Sequence, residues 1–395
     1  MKNANTIPAI ILFVAAGCGG GKQAGSDDLI TIDVTKSYPK KELILQDFMD
    51  VEYIPLESSD EFLTQGFVQA VGKDIIVVKN YAHDGNIFIF DRKGKGLRKI
   101  NRTGQGGEEY TRIYWITLDE DKGEIFVYSR VTRKILVYDL DGNFKRSFNI
   151  KEGFTYSKIY NFDRDNLICL NDFYNYVKDG KATEQPFMII SKQDGSITQE
   201  IQIPFKEKIK TVFMYRDEAA GITYSTEPYT YYPIIPSFNS WILIEPSSDT
   251  IYNYLPDHTM TPFMARTPSV QSMDDPKELL FLSVLTDRYY FMETVKNIYD
   301  FGTKKGFPGT NLMYDRKEKA IFKCVVYNDD YSNKKQVYMN SDPVNAEIAT
   351  WQPLDADRLV ESYKKGELKG KLKEIAATLD EESNPVIMLL KHKKQ

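Results

Sequence analysis

The residues of this sequence best suited to binding chemistry are tyrosines in one proline-rich stretch. Residues 224–236 contain four tyrosines and three prolines. A tyrosine ring offers a flat apolar face with a hydroxyl at its edge, which suits the binding of sugars, peptides or partner proteins. We therefore predict a ligand-binding role for Tyr224, Tyr229, Tyr231 and Tyr232. The alternative is that these rings pack their own loop onto the rest of the fold, and the sequence leaves both possibilities open.

Motifs for catalysis and metal binding are absent from the sequence. The three histidines, His83, His258 and His392, stand far apart, and none has a second histidine or a cysteine at metal-ligand spacing. There is no Gly-x-Ser-x-Gly nucleophile motif. The glycine-rich stretch 104–107 lacks the Lys-Ser/Thr ending of a phosphate-binding loop. We predict no catalytic residue, no metal site and no cofactor.

Charge and composition narrow the class of protein further. The formal net charge of −5 gives no electrostatic reason to expect a nucleic-acid partner. Aromatic residues make up 13% of the chain, and such side chains favour strands. Cys169 and Cys324 lie in apolar, strand-like runs, so we expect two buried thiols rather than a disulfide scaffold.

The first 18 residues have the layout of a secretory signal peptide. A positively charged start is followed by the apolar stretch 7–16 and by small residues that end at Cys18. The apolar stretch is too short to cross a bilayer as a helix. Ala16-Gly17-Cys18 resembles the lipobox of bacterial lipoproteins, although Ala15 stands where that family prefers leucine. The resemblance implies that Cys18 becomes the mature N-terminus and is the site of lipid attachment.

Residues 19–28 are rich in glycine and polar side chains, which is typical of a flexible tether. Several acyl chains on one cysteine hold a protein stably at a membrane, so we expect the membrane to be a partner through this anchor. Gly19 provides no aspartate-type signal for the inner membrane, which favours the outer membrane. Either face of that membrane remains open.

A repeat runs through the remaining chain. Residues 87–100 align without a gap with residues 135–148, and the aspartate, the glycine and the apolar positions coincide. Residues 188–201 are a looser third copy. Each copy predicts a β-hairpin, and each is preceded by another pair of strands. The unit is therefore four antiparallel strands in about 45 to 50 residues, which is the size of a propeller blade.

The later copies are less regular but extend to the end of the chain. We predict one domain over 29–395, an all-β propeller of six blades, with seven shorter blades as the alternative. Residues 336–339 and 385–390 are assigned to the sixth blade. Apolar residues at three- and four-residue spacing predict a helical insertion in this last blade over about 354–380, as one helix or two short ones.

Five short strings carry a resemblance to a known family. They are residues 51–57, 90–91, 100–110, 249–252 and 384–386, and they resemble a family of six-bladed, NHL-like β-propeller lipoproteins of Gram-negative bacteria. Gly107-Glu108 stands where that family commonly has Pro-Gly. The resemblance implies a propeller fold and a place in the cell envelope, and it implies no particular activity.

Two functions from different classes fit these observations. The first is a non-catalytic binding or scaffold propeller of the cell envelope, with a glycan, a peptide or an envelope protein as its ligand. The second is an enzyme, a lyase or hydrolase, with carboxylates and tyrosines in the central funnel of the propeller. Only analogy between folds supports the second function.

Overall fold

The computed structural model describes residues 29–81, 83–171 and 186–393, and strands dominate these residues. The predicted signal peptide (1–18), Cys18 and the tether (19–28) lie outside the described residues. The described chain begins with strands that complete later sheets: β1 (Ile30–Asp33), β2 (Lys40–Ile44), the one-turn helix α1 (Leu45–Phe48) and β3 (Met49–Pro55).

Three four-stranded antiparallel sheets follow, and the strands of each sheet pair in chain order. They are blade 1, β4 (Phe67–Val71), β5 (Ile75–Lys79), β6 (Asn86–Asp91) and β7 (Gly96–Asn101); blade 2, β8 (Trp115–Asp119), β9 (Glu124–Ser129), β10 (Lys134–Asp139) and β11 (Phe144–Asn149); and blade 3, β12 (Tyr156–Asn161), β13 (Asn166–Asn171), β14 (Phe187–Ser191) and β15 (Ile197–Ile201). The three predicted hairpins are the third and fourth strands of these blades.

The aspartate and glycine of the repeat produce the same turn in blades 1 and 2. One side-chain oxygen of Asp91 accepts two backbone N–H groups of its own turn, at 2.8 and 2.9 Å, and Asp139 does the same at 3.0 and 2.8 Å. Gly94 and Gly142 have φ angles of 86° and 83°, a region that residues with a Cβ atom rarely occupy. This local chemistry explains why the repeat is visible in the sequence.

Blades 4 and 5 are longer and less regular. A separate hairpin of β16 (Phe213–Asp217) and β17 (Ile222–Thr226) precedes blade 4. Blade 4 contains β18 (Ile234–Ser237), β19 (Ser240–Leu243), β20 (Thr250–Tyr254) and β21 (Met260–Thr267). Blade 5 contains β22 (Glu278–Leu285), β23 (Tyr289–Lys296), β26 (Gly309–Asp315), β27 (Ala320–Asn328) and β28 (Lys335–Val337), and a small hairpin of β24 (Tyr299–Asp300) and β25 (Lys305–Gly306) lies between β23 and β26. β1 pairs in parallel with β21, and β2 pairs in parallel with β27. β28 pairs with β27, so the assignment of 336–339 to the sixth blade is wrong for the residues of this strand.

Both ends of the described chain form blade 6. After β29 (Ile348–Leu354) come the short helices α2 (Ala356–Lys364) and α3 (Gly370–Ala376) and then β30 (Val386–His392). β3 pairs antiparallel with β30 from Met49 opposite His392 to Pro55 opposite Val386. This pairing closes the ring, which confirms six blades and a helical insertion in the last one. The innermost position of blade 6 holds only a single bridge, between Pro343 and Thr350.

The hydrophobic core lies between neighbouring blades. Val77 and Ile89 of blade 1, for example, belong to one buried cluster with Val127 and Leu136 of blade 2. Because each strand alternates its side chains between two faces, every blade contributes one face to each neighbour. Full burial of such a side chain contributes about 1.5 to 3 kcal/mol, so the ring is stable only when it is complete.

Candidate functional site

A cavity of about 660 Å³ lies on the axis of the ring. Its walls come from the inner parts of five blades: 69–73, 115–118, 159–162, 236–241 and 344–348. Several of these residues belong to the turns that join the first and second strands of a blade. The cavity therefore opens at the end of the ring where those turns lie, which is a common position for a ligand site in a closed β-structure.

Aromatic rings form a continuous wall of the cavity. The ring centroid of Trp115 lies 5.8 Å from that of Tyr160, which lies 5.9 Å from that of Trp241. Phe162 continues the chain at 5.9 Å from Trp241. The rings come from β8, β12 and β19 and the turn after β12, so three blades position one apolar wall. Such a wall provides flat surface for the apolar face of a ligand.

A fifth ring, Phe238, lies in the two-residue turn between β18 and β19. Its φ angle is 41°, which is strained for a bulky side chain, and it is 42% exposed. Its ring lies 4.7 Å from that of His392 at the end of β30. Burial lowers the pKa of His392, which keeps its imidazole neutral near pH 7. Phe238 is thus an apolar group at the open end of the cavity.

Neutral amides provide the hydrogen-bonding groups of the cavity wall. The side-chain amides of Asn161 and Asn239 have no hydrogen-bond partner within the ranges that the structure describes. The Oε1 atom of Gln69 is buried and, among those same residues, unpaired. The amide of Asn345, by contrast, is used to hold its own loop, since its Nδ2 donates to the carbonyl of Val71 at 2.7 Å. The Nε2 atom of Gln69 donates to the carbonyl of Val68 at 3.3 Å, so two amides, those of Asn161 and Asn239, remain to orient a ligand.

One carboxylate of the cavity wall, that of Glu120, could in principle serve as a general acid or base, but it already accepts hydrogen bonds from the backbone. Glu120 accepts the backbone N–H groups of Lys73, Asp74 and Ile75, the last two at 2.9 and 3.2 Å. These bonds join blade 2 to the first turn of blade 1. Lys73 in turn pairs with Asp121 on the exposed rim, at 3.2 Å. Glu120 is thus a structural clasp between two blades.

One ion pair crosses the ring beside the wall of the cavity. Lys158, in the bulge of β12, has a φ angle of 49° and places its Nζ 3.2 Å from Oδ1 of Asp342, next to the innermost position of blade 6. The same Nζ lies 5.0 Å from the ring centroid of Trp115 and 5.7 Å from that of Tyr232. Blades 3 and 6 are opposite each other in a ring of six, so the pair spans the axis.

The structure divides the four predicted binding tyrosines into two pairs. Tyr231 and Tyr232 are buried, and their hydroxyls donate to the carbonyls of Ile244 (3.2 Å) and Asn340 (3.0 Å). Burial raises the pKa of Tyr232 above its ordinary range. Tyr224 and Tyr229 are 48% and 76% exposed. The rings of the first pair pack the loop onto the propeller, and a ligand-binding role for the tyrosines stays a prediction.

Sequence analysis missed the aromatic wall. Trp115, Phe162 and Trp241 come from three different blades, and only Phe238 lies near another of these rings in the sequence. One signal was available, because the chain has only 3 tryptophans and two of them lie at the cavity. The predicted lipid-attachment residue, Cys18, lies outside the described residues.

The described residues contain two free thiols, of which Cys169 is buried and Cys324 is half-buried. Cys169 and Cys324 are both free, as expected, and burial raises the pKa of Cys169 well above its ordinary range and that of Cys324 to about 12. Over the described ranges, no three His, Cys, Asp or Glu side chains gather as ligands for a metal ion. In the same part of the chain no helix is long and apolar enough to span a bilayer.

The closed ring and its axial cavity define a six-bladed β-propeller with a central pocket, a class in which loops and inner strands of several blades share one site. Within that class, the chain belongs to the DUF4934 family, a domain of unknown function whose profile matches residues 29–391.

Two of the solved structures that are similar to this chain come from Bacteroides species. One is a candidate exported protein of Bacteroides fragilis NCTC 9343, with 16% identity over 93% of this chain and 100% of that chain and a TM-score of 0.59. Another is a member of the DUF4221 family from Bacteroides vulgatus ATCC 8482, with 10% identity over 88% of this chain and 98% of that chain and a TM-score of 0.45. No curated protein matches the sequence. The first similarity supports the fold and nothing beyond it.

Proposed function

We propose that this protein is a lipid-anchored binding propeller of the cell envelope that holds its ligand in the axial cavity without transforming it. The observation that carries the proposal is the lining of the cavity. Five aromatic rings and two available amides surround a space of about 660 Å³. Pockets of about 300 to 1,000 Å³ with apolar walls and a few placed polar groups are typical of sites for small ligands.

The size of the cavity limits the ligand to a glycan, a short peptide or a segment of a partner protein. A folded domain does not enter such a space, although a loop of one does. The engagement of Glu120 by three backbone N–H groups favours binding over catalysis, because a general acid or base must be available to the substrate.

The cell-envelope part of the proposal depends on the N-terminal sequence. Cys18 would carry the acyl chains, and residues 19–28 would connect it to the propeller. A ten-residue tether reaches about 33 Å when extended, enough to let either end of the ring face away from the membrane. The outer membrane is the proposed location. A Cys18→Ala variant should lose acylation and move to the soluble fraction, and unchanged membrane association would refute the anchor.

The binding function can be tested by a screen of glycans and envelope peptides against the full chain, purified in a detergent without a sugar headgroup. Trp241→Ala and Asn239→Ala should each weaken binding of a hit at least about tenfold, since they remove a stacking surface and an orienting amide. Tyr363→Ala, on an exposed face of α2, is the matched control and should leave the affinity unchanged.

Other outcomes would contradict the proposal. Binding that is lost in Tyr229→Ala and kept in Trp241→Ala would place the ligand at the proline-rich stretch instead of the cavity. Release of a cleaved or rearranged product during the screen would show that the protein is an enzyme.

A further inference from the structure

The ion pair beside the cavity wall has features that a purely structural tie does not need. The side chains of Lys158 and Asp342 are 26% and 36% exposed although they lie at the centre of the ring. Solvent therefore reaches both groups. A pair that served only to join blades 3 and 6 could be replaced by apolar contacts, because it is costly to take two charges out of water.

The backbone also holds Lys158 in this position at a cost. A lysine with a φ angle of 49° inside a strand adopts a region that residues with a Cβ atom rarely use. The bulge between Ser157 and Tyr160 turns the side chain towards the axis, where Trp115 and Tyr232 flank its ammonium group. Strain of this kind concentrates at functional positions.

The charges around the cavity argue against an anionic ligand. Carboxylates outnumber ammonium groups by three to one among the residues that line the cavity, which are Glu120, Asp121 and Glu347 against Lys73. A ligand that carried a carboxylate or phosphate would enter a negative field. An uncharged ligand avoids this repulsion and still meets strong donors and acceptors.

We propose that Lys158 and Asp342 form hydrogen bonds with adjacent hydroxyls of an uncharged carbohydrate bound in the cavity. The ammonium group donates a hydrogen bond to one hydroxyl oxygen, and the carboxylate accepts a hydrogen bond from the next. Trp241 offers its face to the C–H surface of the sugar ring, and Trp115 lies beneath the ammonium group of Lys158. This inference rests on the proposed binding function and adds the class of ligand and the two residues that select it.

Hydrogen bonds to charged groups are strong enough to measure singly. The loss of one such bond lowers the affinity by about 10- to 100-fold. Lys158→Met keeps the length of the side chain and removes its donor, and Asp342→Asn keeps the shape and removes the charge. Lys365→Met, in an exposed pair on α2, is the matched control.

The test measures binding of neutral hexasaccharides, an oligogalacturonate of the same length and a set of uncharged peptides to the full chain by calorimetry. We expect a neutral hexasaccharide to bind at least tenfold more tightly than the uronate, and both cavity variants to lose affinity about 10- to 100-fold. Asp342→Asn should also reduce the ratio between the affinity for the neutral hexasaccharide and the affinity for the uronate. A pair with a purely structural role would not produce this change. The preference of the unmodified protein needs no variant, so it tests the inference even if Lys158→Met fails to fold.

The alternatives are separable. Binding of the uronate or of peptides alone, lost in Trp241→Ala, would refute the inference and keep the binding function. Variants that unfold at lower urea but bind the neutral sugar as before would show that the pair is structural, which also refutes it. If Trp241→Ala leaves the affinity for every bound probe unchanged, the cavity is not the binding site and the proposed function is refuted.

Discussion

Substitution of Glu124 by glutamine should destabilise the propeller in a way that depends on pH. Glu124 begins β9, and its side chain is only 6% exposed. Its two carboxylate oxygens accept hydrogen bonds from the guanidinium of Arg146, both at 2.8 Å. Arg146 also donates to the carbonyl of Lys192 in blade 3, so the pair connects the second and fourth strands of blade 2 and stabilises the contact with blade 3.

The magnitude follows from the pKa of the carboxyl group. The hydrogen bonds from Arg146, with Lys145 as a second cation, lower the pKa of Glu124 from 4.5 to about 2 against the opposing effect of burial. A shift of about 2.5 pKa units corresponds to about 3 kcal/mol of folding free energy at neutral pH. Because the folded-state pKa is the lower one, this contribution is complete above about pH 5. The contribution decreases as pH falls from 4.5 to 2, and about 2 kcal/mol of it remains at pH 3.5.

Urea unfolding of the wild type and of Glu124→Gln, followed by tryptophan fluorescence at pH 7, 5 and 3.5, measures this directly. The difference in unfolding free energy should be about 3 kcal/mol at pH 7 and smaller at pH 3.5, because the protonated wild-type carboxyl approaches the neutral amide. Glu361→Gln, in an exposed pair with Lys365, should give no measurable difference at any pH. An equal loss at pH 7 and pH 3.5 in Glu124→Gln would refute the electrostatic explanation.

Three further substitutions follow from buried contacts. Lys192→Met should cost about 3 to 5 kcal/mol in urea unfolding, because it strands the buried carboxylate of Asp119, 2.7 Å away; a loss below about 1 kcal/mol would contradict this. Asn384→Ala should cost about 2 to 4 kcal/mol, since this amide donates to two carbonyls and accepts one N–H of the segment that follows β3; unfolding unchanged from wild type would show that these bonds add nothing to closure. Tyr232→Ala should lose about 3 kcal/mol or more in thermal unfolding, whereas the exposed Tyr229→Ala should change stability little, and equal effects would contradict the burial of the first ring.

The regular half of the propeller could be predicted because its information is local. The turn in residues 87–100 is fixed by Asp91 and Gly94, which act within a few residues of each other, and the same chemistry recurs in the next blade. A pattern that depends only on neighbours in the chain survives as a visible repeat. The helical insertion was predicted for the same reason, since its periodicity lies within one short segment.

The strand pairing that closes the ring and the residues of the site could not be predicted because their partners are remote in sequence. β3 and β30 pair across more than 300 residues, and pairing of strands by their backbones leaves no side-chain signature. The aromatic wall likewise joins Trp115 to Trp241 through Tyr160, one ring from each of three blades. The tyrosines of 224–236 form a visible cluster because they are close in sequence. In the structure, however, Tyr231 and Tyr232 are buried in the core, whereas Tyr224 and Tyr229 are exposed.

The site owes its shape to the least regular blade. A complete innermost strand in blade 6 would fill one side of the axis with a paired backbone, as in blades 1 to 3. Here only the bridge between Pro343 and Thr350 remains, so the neighbouring residues do not take part in the hydrogen-bond ladder of the sheet. They place Asp342 opposite Lys158 and line the cavity wall with 344–348. Since the other blades need regular pairing to bury the core, a departure in one blade is the change that opens an axial space without weakening the ring. Restoring a full strand there should close the cavity and abolish binding while leaving the propeller folded.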